Sequence, residues 1–85
     1  MASPEEEKGK RWILDLVRSI DPEIEVVIPV RATSDLYLIG LNKRKGKKFL
    51  QISEDDMLDI ASEESVREEV EEKMREAVSE LQAQL

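Results

Sequence analysis

The stretch Leu36-Tyr37-Leu38-Ile39-Gly40-Leu41 carries no charged side chain, so a strand built from it is apolar on both faces. Its length and its bulky, branched residues read as strand rather than helix. Asn42-Lys43-Arg44-Lys45-Gly46-Lys47-Lys48 follows, and then Phe49-Leu50-Gln51-Ile52. A polar, glycine-bearing segment between two apolar runs is a hairpin signal. The chain therefore has an antiparallel pair at its middle, and the flanking segments must cover it.

Upstream, Ile24 to Arg31 alternates, with Ile24, Val26, Ile28 and Val30 on one side and Glu25, Val27, Pro29 and Arg31 on the other. Pro29 lacks an N–H and suits an edge strand. Ala32-Thr33-Ser34-Asp35 is a turn. Before it, Ser3-Pro4-Glu5-Glu6 has the composition of a helix start, and Ile13, Leu16, Val17 and Ile20 lie at i, i+3, i+4 and i+7. Trp12 and Leu14 flank this stripe, and Asp21-Pro22 ends it. Gly9 weakens the first turns, so the stable helix is expected near Lys10, with residues 1–9 frayed. Downstream, Ser53 and Asp56 have the spacing of a capping box ahead of Met57, Leu58, Ile60 and Ala61. Ser65 and Glu68 offer a second start, followed by Val66, Val70, Met74, Ala77, Val78, Leu81 and Leu85 on one face. The expected fold class is α+β. It has the order α-β-β-β-α, a three-stranded antiparallel meander with an N-terminal helix and a C-terminal helical region, broken or kinked, on one face. Residues 1–85 form a single small domain.

The hairpin sets the sheet's faces. Lys43 to Lys47 suits a three-residue loop with Gly46 left-handed and a G1 bulge, which pairs Lys43 with Lys47, Leu41 with Phe49 and Leu38 with Ile52. Pairing Val30 with Leu36 in the first turn matches Ile28 to Leu38. The helix-covered face then carries Ile24, Val26, Ile28, Val30, Leu36, Leu38, Leu50 and Ile52. The uncovered face carries Val27, Tyr37, Ile39, Leu41 and Phe49. A two-residue Lys45-Gly46 turn would shift the register by one and swap the faces of the third strand. An uncovered apolar group of this size predicts an interface formed by those five residues.

Composition narrows the chemistry. The 85 residues contain no histidine and no cysteine, which excludes a disulfide scaffold and a Cys/His zinc site. The commonest general base and the strongest nucleophile are missing, the three glycines are isolated, and no catalytic pair stands out. The chain is read as non-enzymatic, with no catalytic, cofactor-binding or metal site. The acids from Glu54 to Asp59 suit a helix N-terminus rather than a calcium loop. No apolar run reaches the roughly 20 residues that span a membrane, and the acidic N-terminus lacks a signal-peptide core, so a cytoplasmic protein is expected.

The net charge is −7 but uneven: −3 over residues 1–30, +5 over 31–52 and −9 over 53–85. Lys43, Arg44, Lys45, Lys47 and Lys48 make the hairpin the strongest nucleic-acid signal, as phosphate contacts. The order α-β-β-β-α resembles the double-stranded-RNA-binding domain in topology, which implies RNA contact through the loop between the first two strands and through helix termini. Where that family has a basic cluster at the start of its last helix, this chain has Ser53-Glu54-Asp55-Asp56. The overall acidity opposes phosphate, and the basic sheet region has an acidic helix to pair with. The expected function is a protein-interaction domain that homodimerises or binds another protein through the uncovered sheet face. The alternative is a nucleic-acid-binding module using the hairpin.

Overall fold

The computed structural model describes residues 4–84, so the expected Ser3 cap and the Leu85 contribution to the last helix lie outside the described residues. The order is α1 (Pro4–Ile20), β1 (Glu25–Val27), β2 (Leu36–Lys43), β3 (Gly46–Ser53), α2 (Glu54–Asp59) and α3 (Glu64–Ala83). The strands form one antiparallel sheet in the order β1-β2-β3. The α+β architecture and the broken C-terminal helix are those expected from the sequence.

α1 starts at Pro4, not near Lys10. Gly9 is buried, and a Cβ added there would overlap the Met57 carbonyl oxygen. The glycine that lowers helix propensity is what lets α1 approach α2, so packing overrides propensity. Ile13 and Val17 enter the core, with Trp12, Leu16 and Ile20 packed beside it. Ser53 caps α2, its hydroxyl accepting the Asp56 N–H at 3.1 Å. The second capping box is not used. α3 starts two residues earlier, with Glu63 rather than Ser65 at the N-cap and Glu64 as its first residue, and the Glu63 side chain makes no cap bond. Arg67 instead donates to the carbonyls of Ile60 and Ala61 at the break between the helices. α3 lies along β3, and α1 packs on α2 and α3.

The sheet register corrects the expected one. β2 and β3 are joined by a two-residue turn, Arg44-Lys45, that pairs Lys43 with Gly46, Leu41 with Lys48 and Ile39 with Leu50. Arg44 takes the positive φ, 53°, and Gly46 does not. On the other side Val26 pairs with Leu41 and Val27 with Gly40. β1 is only three residues long, and the first turn closes between Thr33 and Leu36 through two backbone hydrogen bonds of 2.8 and 3.0 Å. Ser34 and Asp35 both have positive φ, as a two-residue primed turn requires. Both registers differ from expectation by one residue, and the two shifts fall together on β2. Tyr37, Ile39 and Leu41 are therefore fully buried under the helices, while Leu36, Leu38 and Val30 are exposed. Strand 3 keeps its expected faces, with Ile52 in the core, Leu50 packed against it and Phe49 outside.

Candidate functional site: the open face of the sheet

Alternation and register lay out the uncovered face row by row. Glu25, Asn42 and Lys47 form the row nearest the hairpin, and Val27, Gly40 and Phe49 the next. Leu38 and Gln51 follow, then Leu36 and Ser53. Val27 is 48% exposed, Leu38 52% and Phe49 57%. A Cβ added at Gly40 would sit 3.2 Å from the Phe49 ring, so the ring leans over the glycine and shields its backbone.

Of the five expected interface residues, Val27 and Phe49 lie on this face. Tyr37, Ile39 and Leu41 do not; they are core residues and cannot meet a partner. Leu38 takes their place at the centre of the patch. One signal for this is in the sequence. Tyr37, Ile39 and Leu41 are three bulky residues without interruption, whereas the other face of β2 is broken by Gly40.

The Tyr37 hydroxyl donates to Glu6 at 2.6 Å, and the Lys10 ammonium stands 5.2 Å from the ring centre. Burial, reinforced by the Glu6 carboxylate, raises the phenol's pKa and keeps it a neutral donor. This ties α1 to β2 rather than building a reactive group.

The hairpin cations are divided. Lys43 bonds Asp21 at 2.5 Å and meets Glu23 at 3.3 Å. The Lys43 bond, helped by Gln82 and the Glu23 N–H, pulls the buried Asp21 carboxyl down to about 2. Lys43 is raised in turn by Asp21. Lys48 pairs with Glu80 of α3. Two of the five basic residues are thus used within the fold, by acids of the α1–β1 connection and of α3. Arg44, Lys45 and Lys47 are exposed.

The β3 edge of the sheet is partly occupied. In β3 the backbone groups of Lys47 and Gln51 point away from β2. The Gln84 amide accepts from the Lys47 N–H at 3.3 Å and donates to its carbonyl at 3.2 Å, and Lys73 reaches the Gln51 carbonyl at 3.5 Å. Side chains from the end and middle of α3 thus partner the strand that strand addition would use. β1 is short at the other edge. No group of three or more acidic side chains among the described residues could hold a metal ion. No helix among them is long and apolar enough to cross a membrane. Comparison with protein-family models, with characterised proteins and with solved structures finds no match to this chain.

Proposed function

We propose that this chain is a small, non-enzymatic protein-interaction domain that homodimerises through the open face of its sheet. The carrying observation is that Val27, Leu38 and Phe49, large apolar side chains about half exposed, adjoin one another on a face that no described element covers. A two-layer domain of this size buries a modest core, and covering a second sheet face adds apolar burial at roughly 25 cal/mol per Å². Two such faces stack about 10 Å apart, as in a sandwich. A cytoplasmic setting is compatible with a chain free of cysteine.

Sedimentation equilibrium tests the reading. The wild type is expected to dimerise, and a Leu38→Asp, Phe49→Asp variant to be a monomer with an unchanged far-UV spectrum. A wild type that stays monomeric at about 1 mM, where even weak specific contacts populate a complex, refutes it. The weaker reading, a nucleic-acid module, has Arg44, Lys45 and Lys47 exposed at the hairpin tip in its favour. Binding of RNA or DNA at low salt that falls steeply with added salt would support it instead.

A further inference from the structure

The open face carries two charged side chains at opposite edges of one row: Glu25 on β1 and Lys47 on β3, with Asn42 between them. Both residues are exposed, and neither side chain makes an ion pair among the described residues. They stand two strand spacings apart, roughly 10 Å. Of the other charged residues of the strands and the β2–β3 turn, Lys43 is engaged by Asp21 and Glu23 and Lys48 by Glu80, while Arg44 and Lys45 stand exposed at the turn. Two opposite charges without an ion pair thus lie at one end of the apolar patch, at opposite edges of the uncovered face.

We infer that the partner of this face is a second copy of the chain, related by a twofold axis parallel to β2 and lying between the two sheets. This rests on the homodimer reading above and specifies its geometry. Such an axis exchanges the two sheet edges while keeping position along the strands. It sets Glu25 of each copy opposite Lys47 of the other. It sets Val27 opposite Phe49 in the same way, and brings Leu38 against Leu38 near the axis. Gly40, the residue without a side chain, also lies near the axis, where the Phe49 rings of both copies lean inward. The two rows that span all three strands are self-complementary under this one operation, as an isologous interface requires. An axis across the strands would instead carry the charged row toward the far end of the sheet, where Leu36 and Ser53 lie, and leave both charges unmatched. The two ion pairs at the rim select register and partner rather than supplying most of the affinity.

Reciprocal charge reversal tests this arrangement. Glu25→Lys and Lys47→Glu variants each place like charges opposite one another in a self-dimer. Each alone is expected to weaken self-association at least about fivefold at low ionic strength. Mixed in equal amounts they should form a heterodimer at least as tight as the wild type, since both pairs again join opposite charges, one with the wild-type signs and one with the signs exchanged. Added salt should erase these differences. Glu25→Gln and Lys47→Gln serve as neutral controls should a reversal disturb folding; each should weaken the dimer by less than the reversal. If the reversals dimerise like the wild type, alone and mixed, while Leu38→Asp, Phe49→Asp is monomeric, the twofold arrangement is wrong and the face reading stands. If the wild type itself is monomeric, both fail.

Discussion

Gly9 illustrates how a single residue acquires opposite meanings from local and tertiary physics. In an isolated helix Gly9→Ala would stabilise by up to about 1 kcal/mol. Here the added methyl meets a backbone carbonyl of α2, which cannot rotate aside. Gly9→Ala is therefore expected to destabilise by about 2 kcal/mol or more, read as a lower urea midpoint with an unchanged slope. Asp21 is the second such residue. Its folded pKa, about 2, lies below the ordinary value of 3.8, so the stability it contributes is fully present above about pH 4. That contribution is lost as pH falls through the folded pKa. Wild type and Asp21→Asn should differ most in thermal stability above pH 4, and the gap should narrow towards pH 2 and close below it. A gap independent of pH would show that the Lys43 and Gln82 contacts do not act through the carboxylate.

β2 shows how an element can be certain in type and ambiguous in orientation. Its apolar run makes a strand whichever face is buried, because both faces can pack. The turns decide, and both turns here are two residues long. Arg44, Ser34 and Asp35 accept positive φ although none is glycine, so the sequence cue of Gly46 pointed to a longer loop than the one formed. A one-residue slip then moved Tyr37, Ile39 and Leu41 from the open face to the core. The two sides of β2 should respond very differently to truncation. Ile39→Ala is expected to cost about 2–5 kcal/mol, as a fully buried branched side chain does. Leu38→Ala, on the half-exposed face, should cost less than about 1 kcal/mol in the isolated subunit. Equal costs at the two positions would contradict the register.

At the scale of the molecule, the three helices of the described residues cover one side of the three strands, and no described element covers the other. The homodimer we propose there would make stability depend on concentration, because association acts only on the folded state. The melting temperature should rise as protein concentration increases from about 1 μM to 1 mM, and the Leu38→Asp, Phe49→Asp variant should show no such rise. The sequence alone determined the number and order of elements, because 3.6- and 2-residue periodicities, the Ser53 cap and the Asp21-Pro22 stop are written in local spacing. It also determined that a sheet face would remain apolar, since β2 has more apolar surface than one layer of helices can cover. Tertiary structure alone decided which face that is, which lysines are consumed by Asp21 and Glu80, and why α1 holds a glycine. Those outcomes depend on turn length and on contacts between residues far apart in the chain. No local pattern encodes a contact such as that of Gly9 with Met57 or of Lys43 with Asp21.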